Sequence, residues 1–219
     1  MTLQDIVQSS WGKRFSESFG ENLLSAFLHG NCLYEGFDAL HESWQISFVL
    51  KRAKPSDLAA LSKWNKDLKR DCIRAGYFFT EDFLQSKQND YPLEFLHISQ
   101  KNVPLFGNSP LQGFVPDNEA LKAECKRELE NRKLHLIREF TRIQAGLSPM
   151  DFFIEAFSEI IPVLYGIYFL RKNTYPQNRD AVFQEFPEFR IQEPALQHSQ
   201  NIERADAYFD ALESRIQEL

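Results

Sequence analysis

The residues that could carry chemistry in the first half of the chain lie on two short apolar runs and the loop between them. The first run ends at His29 and Gly30, and the second, from about residue 43 to 50, holds Gln45 and Ser47. Side chains alternate between the two faces of a strand, so residues 45 and 47 point to the same face. Paired metal ligands need this placement, but an amide and a hydroxyl are neutral ligands.

The same segment raises other chemistries that its spacing does not favour. Histidines occur at positions 29, 41 and 97, but they match no known spacing of metal ligands. Because His29 and His97 lie in apolar runs, we expect hydrogen-bonded and partly buried rings. Cys32 lies close to His29, yet a cysteine nucleophile also needs a third orienting group and a recognisable local signature. Gly30 fits a plain tight turn as well as a phosphate-binding loop, since glycine gives the open backbone that both need.

Alternating strands and helices must position these residues. Short apolar runs predict the first two strands, and the second is rich in β-branched and aromatic residues. Pro55, a capping Ser56 and apolar residues at near-helical spacing predict a helix that closes at Gly76. The predicted elements of this half are a helix from about 3 to 20, strands at 23–28 and 43–50, a helix from 55 to 76, and strands at 91–99 and 103–106.

The second half of the chain is predicted to be helical throughout. Glycine and proline turn signals between 107 and 116 mark the boundary between the halves. Apolar residues of the last helix alternate at spacings of three and four, which makes a narrow seam for a neighbouring helix or a second copy of the chain. The predicted helices run from 117 to about 143, from 148 to about 172 with a bend at Pro162, and from 201 to 219.

These elements predict an α+β fold. A small mixed β-sheet domain at 1–116, with its core at about 20–115, is followed by an all-α helical bundle at 117–219. The chain has 219 residues, of which 14% are aromatic, including 20 Phe, so a sizeable core is expected.

Charge and cysteine usage limit the classes of partner and compartment. A formal net charge of −6 opposes non-specific binding to nucleic acid. Three cysteines without CxxC spacing fit a reducing compartment. The most apolar run, 160–170, is about half as long as a membrane span needs, and the first residues lack an apolar signal core. The charge therefore disfavours nucleic acid as a partner without excluding a local basic patch, and we expect a cytoplasmic protein that does not bind a membrane.

The order of these segments resembles the nucleotidyltransferase superfamily, whose DNA polymerase β-like fold includes the aminoglycoside nucleotidyltransferases. The run "YPLEFLHISQKNVPLFGNSPLQGF" resembles the later strand pair of bacterial members, and "LKAECKRELENRKLHLIREF" resembles the charged helix that begins their helical domain. The resemblance covers about residues 23 to 140. It implies a Gly-Ser pair that holds phosphates, an Asp-x-Asp on the second strand that binds two Mg²⁺ ions, and a third carboxylate on a later strand.

Mapped onto that pattern, the chain keeps the spacing of the family's residues but has neutral side chains at the two aspartate positions. Gly30 matches the phosphate-loop glycine, and Asn31 stands where the serine belongs, which keeps a hydrogen-bond donor there. Gln45 and Ser47 match the two aspartates. Magnesium prefers anionic oxygens, so the loss of two charges would remove several kcal/mol of ion binding even at an effective dielectric near ~20.

Two acids outside the second strand are further candidates for the site. Glu94 matches the third carboxylate; His97 takes that place if the register slips, and only one of the two can face the site because they lie three apart on the predicted strand. Asp38 is the best of the loop acids that could supply a displaced carboxylate. With the retained glycine, this makes Gly30, Asn31 and Asp38 the candidate nucleotide-binding residues.

Three functional hypotheses follow from the resemblance. The leading one is a catalytically degenerate nucleotidyltransferase-like protein with a nucleotide-binding, partner-binding or regulatory role and no metal site of its own. The second is an active enzyme that transfers a nucleoside monophosphate from NTP to a small molecule, RNA or protein hydroxyl, and it alone would need Mg²⁺ and NTP. The third is a scaffold or homodimer formed through the C-terminal helices.

Overall fold

A computed structural model describes residues 2–34, 37, 42–144, 148–190 and 198–219. Contacts within the chain divide it into two units, Met1–Val115 and Pro116–Leu219.

The first unit interleaves strands and short helices. Two helices precede the first strand, and a helical crossover separates the second strand from the third. The elements are α1 (Leu3–Gln8), α2 (Trp11–Phe19), β1 (Leu23–His29), β2 (Trp44–Leu50), α3 (Pro55–Leu58), α4 (Asn65–Arg70), β3 (Ile73–Thr80), α5 (Glu81–Ser86), α6 (Pro92–Gln100) and β4 (Asn102–Phe106).

The four strands form one mixed sheet in the order β3-β2-β1-β4. β1 is antiparallel to both of its neighbours, whereas β2 and β3 are parallel. A parallel pair needs a crossover connection, and the α3–α4 segment provides it. The predicted α+β class with a small mixed sheet is therefore confirmed.

Both faces of the sheet are covered, and alternation along the strands assigns each side chain to one face. One face packs on α1 and α2, with Phe15 and Phe48 fully buried between them. The other face presents Phe27, Val49 and Phe79 to residues of α5 and α6. His29 and Ser47 share the parity of Phe27 and Val49, so they belong to this second face.

Three predicted elements of the first unit differ from the structure. The segment at 91–99, predicted as a strand, forms α6 with Pro92 at its first turn; its apolar residues are buried on several sides, and a short apolar run does not distinguish strand from buried helix. In place of the single helix predicted from 55 to 76, the structure has α3 and α4 joined by a 3₁₀ segment at Ala59–Trp64, and β3 begins at Ile73. The helix predicted from 3 to 20 is interrupted at Ser9, whose hydroxyl donates to the Ile6 carbonyl.

The second unit contains only helices among its described elements. They are α7 (Asn118–Gln144), α8 (Pro149–Lys172), α9 (Arg179–Glu185) and α10 (His198–Glu218). The three predicted helices are present, and α9 was not predicted. The apolar seam of α10 is largely buried within this unit, at Ala205, Leu212 and Ile216.

The segment Phe152–Lys172 of α8 is long and apolar enough to cross a membrane by length and composition. Half of its apolar window is buried inside the protein, and Pro162 lies within the helix. Ile160, Leu164 and Ile167 are buried in the helical unit, as expected of a central helix that packs on its neighbours.

Candidate functional site

The candidate site lies on the second face of the sheet, where the pairing of β2 and β3 changes register. Ile46 pairs with Ala75, but Phe48 pairs with Phe78, so Ser47 alone stands opposite two residues of β3. This is a β-bulge, a feature that interrupts the ladder and often re-aims side chains beside functional sites. At the bulge the Tyr77 N–H donates to the Ser47 hydroxyl oxygen at 2.6 Å. A side chain thus satisfies an amide within the irregular stretch of the ladder.

A buried histidine closes the other side of Ser47. The His29 Nε2 atom lies 2.7 Å from Ser47 Oγ, and the two residues are only 4% and 0% exposed. Burial lowers the pKa of His29 from 6.5 to about 4, because the charged ring would lose its hydration. The ring is therefore neutral at pH 7. The Ser47 hydroxyl can accept from Tyr77 and still either donate to Nε2 or accept from it, so this contact is a hydrogen bond in either tautomer of the ring.

The Gln45 side chain lies between two glycines. A Cβ placed on Gly30 would be 3.2 Å from Gln45 Oε1. A Cβ on Gly76 would be 3.0 Å from Gln45 Nε2 and 2.5 Å from Ser47 Oγ. A distance of 2.5 Å is shorter than real Cβ atoms show. The backbone at Gly76 can therefore approach Gln45 and Ser47 this closely only because glycine has no side chain.

Tyr77 forms the exposed edge of the site. Its ring stacks on His29 with centroids 5.5 Å apart, and 44% of the residue is exposed. Partial burial raises the pKa of Tyr77, and the negative charge of Glu94 raises it further. Glu94 therefore lies within electrostatic range of this side of the sheet.

The structure brings Gly30, Gln45 and Ser47 together on one side of the sheet. Glu94 is placed differently from the prediction, because it lies in the first turn of α6 and not on a strand. His97 follows it on the same helix, where residues three apart are neighbours on one side and not on opposite faces.

The remaining predicted residues add less. The backbone of Asn31 belongs to a 3₁₀ turn at Gly30–Leu33, and Asp38 lies outside the described residues. Cys32 is buried and donates to the His29 carbonyl oxygen at 3.2 Å. Burial raises the pKa of this thiol, which disfavours the nucleophilic thiolate.

The expected burial and hydrogen bonding of His29 are confirmed, but the sequence analysis missed Gly76 and Tyr77. The predicted helix ends at Gly76, next to Tyr77, so the prediction does not place either residue beside Ser47. The signal that could have found them is the run Tyr77–Thr80, which contains three aromatic residues and a threonine, all typical of strands.

The site does not fit the magnesium pair that the resemblance implies. None of the four described strands contains an aspartate or a glutamate. Gln45 offers one neutral carbonyl oxygen, and the lone pairs of Ser47 face an amide proton inside the protein. Magnesium holds its waters strongly and is bound through carboxylates and phosphates, so these two side chains do not replace an aspartate pair.

Comparison with known proteins finds similar folds at low sequence identity. No protein-family model matches the chain, and no curated protein matches it significantly. Spectinomycin adenyltransferase AAD(9) from Enterococcus faecialis, solved with ATP and spectinomycin, is 11% identical with a TM-score of 0.44, covering 97% of this chain and 100% of that one. A nucleotidyltransferase-like protein from Exiguobacterium sibiricum 255-15 is 12% identical with a TM-score of 0.35, covering 97% and 75%.

Proposed function

We propose that this chain is a catalytically degenerate nucleotidyltransferase-like protein whose first unit binds a ligand without transferring a nucleotide. The observation that carries the proposal is the state of Ser47 at the second aspartate position. Its hydroxyl is fully buried and is hydrogen-bonded to the Tyr77 amide and to His29. A side chain that completes the sheet in this way is not available as a metal ligand.

Charge supports the same conclusion. A two-metal transfer uses anionic ligands to hold the ions that activate the attacking oxygen and stabilise the leaving group. Gln45, Ser47 and the neutral His29 bring no negative charge to the face where those ions would lie. Glu94 is the described acid whose charge acts on this face through Tyr77, and one carboxylate does not make a two-metal site.

What the face retains suits binding. The Gln45 amide is partly exposed and can both donate and accept. Gly30 has φ +79°, a conformation that keeps its backbone open beside that amide. The exposed Tyr77 ring offers an aromatic surface of the kind on which bases stack. We therefore favour a nucleotide or another polar, planar ligand that binds without Mg²⁺.

The rival hypothesis is a working Mg²⁺-dependent enzyme, and it is separated by a transfer assay. The full chain is incubated with Mg²⁺ and labelled NTPs, alone and with cell extract. We expect no label transfer above that of a sample without the protein. Transfer that is abolished by Glu94→Ala would contradict the proposal, because it would show that the remaining carboxylate still supports chemistry.

A second experiment tests the mapping of residues 45 and 47. Gln45→Asp and Gln45→Asp with Ser47→Asp should increase Mg²⁺-dependent binding of a non-hydrolysable NTP at least tenfold by calorimetry. A carboxylate about 4 Å from a divalent ion gains several kcal/mol at an effective dielectric near 20. The control is Gln85→Asp, which adds the same charge on the exposed side of α5. Equal binding by the folded variants and the control would mean that these positions do not line a nucleotide cleft.

A further inference from the structure

A group of potential metal ligands lies between α7 and α8 in the second unit. His135 comes from α7, and Glu155 and Glu159 come from α8, one turn apart. One ligand atom from each side chain can be chosen so that all three lie within 4.8 Å of one another. All three residues are partly buried. This group belongs to the second unit, whereas the site described above belongs to the first, and it has no part in the proposed function.

The contact between His135 and Glu159 is short but incomplete. His135 Nδ1 lies 2.6 Å from Glu159 Oε1, yet the pair lacks hydrogen-bond geometry. Both His135 Nδ1 and Glu159 Oε2 are buried atoms without a hydrogen-bond partner. A buried polar atom without a partner is costly, by about 1–3 kcal/mol, and a bound cation is one way to satisfy a nitrogen and a carboxylate oxygen together.

The two carboxylates favour a cation, although the Arg142 guanidinium already lies close enough to Glu155 for that carboxylate to raise its pKa. Glu155 and Glu159 are four residues apart on one helix, where like charges destabilise each other. The nearby Glu139 is held by Arg142 and Arg138, which keep the pKa of its carboxyl below the usual value. Its carboxylate oxygen lies 3.6 Å from His135 Nε2. A carboxylate behind the distal nitrogen is the usual means of orienting a histidine that binds metal through the other nitrogen.

We propose that His135 Nδ1 and the carboxylates of Glu155 and Glu159 form a site for a divalent transition metal, with Zn²⁺ as the ion of best fit. Imidazole nitrogen suits zinc, and magnesium prefers an all-oxygen shell. Zn–N and Zn–O bonds of about 2.0–2.2 Å in a tetrahedral site place ligand atoms roughly 3.4 Å apart. The ligand atoms now lie within 4.8 Å of one another, so binding would require the side chains to adjust, and three protein ligands leave the fourth position to water.

Calorimetry with Zn²⁺ tests the site directly. The full chain is stripped with a chelator and carries Cys72→Ser, because Cys72 is an exposed thiol that could bind zinc by itself. We expect one Zn²⁺ per chain and a rise in the thermal unfolding midpoint with added metal. His135→Gln and Glu159→Gln should each weaken binding at least tenfold, whereas Glu130→Gln, on the exposed side of α7, should leave it unchanged.

Cobalt gives a second, spectroscopic readout. Co²⁺ should bind with visible d–d absorption and without the strong thiolate band in the near ultraviolet, and His135→Gln should remove that absorption. If His135→Gln fails to fold by circular dichroism, the isosteric Glu159→Gln decides the question. Absence of Zn²⁺ binding in the Cys72→Ser chain would overturn the proposal, as would binding by folded His135→Gln and Glu159→Gln that equals that of Glu130→Gln.

Discussion

Acidification should destabilise the first unit through His29. The ring is buried and neutral, with its pKa lowered from 6.5 to about 4. In the unfolded chain the same imidazole is hydrated and titrates near its ordinary value. Between these two pKa values the unfolded state binds more protons than the folded state, so the free energy of unfolding falls as the pH falls. The stability is fully present above pH 6.5 and is lost progressively towards pH 4.

The size of this effect follows from the two pKa values. Each pKa unit corresponds to about 1.4 kcal/mol, so the full difference between 6.5 and about 4 is worth about 3 kcal/mol. Relative to neutral pH, His29 should remove about 1.4 kcal/mol by pH 5.5 and about 2.5 kcal/mol by pH 4.5. A loss of this size is a large fraction of the stability of an ordinary domain.

Tryptophan fluorescence measures this unit alone. The chain has three tryptophans, at positions 11, 44 and 64, and all of them lie within Met1–Val115. Urea unfolding of the full chain is followed by their emission at several pH values between 7.5 and 4.5. His29→Gln keeps a polar side chain near Ser47 but does not titrate, so its free energy of unfolding should depend less steeply on pH. His135→Gln, which changes a histidine of the other unit, should retain the full dependence.

The comparison with His29→Gln matters because carboxylates also titrate towards pH 4. Asp57 has a pKa of about 2, lowered by its hydrogen bond with Arg52, and such groups weaken the fold at low pH in every variant. The difference between the wild type and His29→Gln isolates the histidine. Equal pH dependence in both proteins would refute the assignment of a buried, neutral His29 beside Ser47.

Two further predictions concern the same contacts. Ser47→Ala leaves the Tyr77 amide and His29 Nε2 without their shared partner, and it should lower the free energy of unfolding by about 2–4 kcal/mol. The matched Ser25→Ala loses one hydrogen bond to the Asn108 carbonyl and should lower it by about 1 kcal/mol. Equal losses in urea unfolding would contradict the bulge geometry. Gly76→Ala places a methyl group 2.5 Å from Ser47 Oγ and should cost about 1–3 kcal/mol; a neutral effect on the unfolding midpoint would show that this approach is not close.

The long helices with one exposed side and the two central strands are the parts of the fold that the sequence predicts well. The long helices α7 and α10 carry apolar residues at helical spacing with charged residues between them, so both follow from periodicity. β1 and β2 are short runs of apolar, β-branched and aromatic residues bounded by turn residues, which also gives their type.

The two main errors have different causes, which are burial on several sides for α6 and a misleading local pattern for β3. The residues of α6 at positions 93, 95, 96 and 98 are buried on several sides, so the run shows no helical period and resembles a strand. β3 was absorbed into the preceding helix because Ile73 continues a helical series and Gly76 is a plausible helix end. Its strand character depends on pairing with β2, a contact that no local pattern contains.

The sequence predicts which face of the sheet carries Gln45 and Ser47, but it does not predict the hydrogen-bond partners of Ser47. The alternation of side chains is enough to place Gln45 and Ser47 on one face of β2. The partners of Ser47 come from β1 and from a bulge in β3, and a register shift of one residue cannot be derived from local spacing. The predicted position of Glu94 is wrong because the segment predicted as its strand forms the helix α6.

The hydrogen bonds of Ser47 show why a neutral residue suits this position better than an aspartate. An aspartate there would place a carboxylate beside His29, and such a buried pair is favourable only if the ring takes up a proton and both ions are fully hydrogen-bonded. Burial lowers the pKa of His29 beside the neutral Ser47, so an aspartate would have to offset that desolvation before the ring took up a proton. The larger side chain would also press on the backbone at Gly76, which leaves no room for a methyl group. Serine avoids both costs and still accepts the Tyr77 amide, so the neutral residue is matched to a neutral histidine and to the bulge. The aspartate substitution at Ser47 should therefore lower stability even where Gln45→Asp does not, and folding of the double variant has to be measured beside its affinity for Mg²⁺ and NTP.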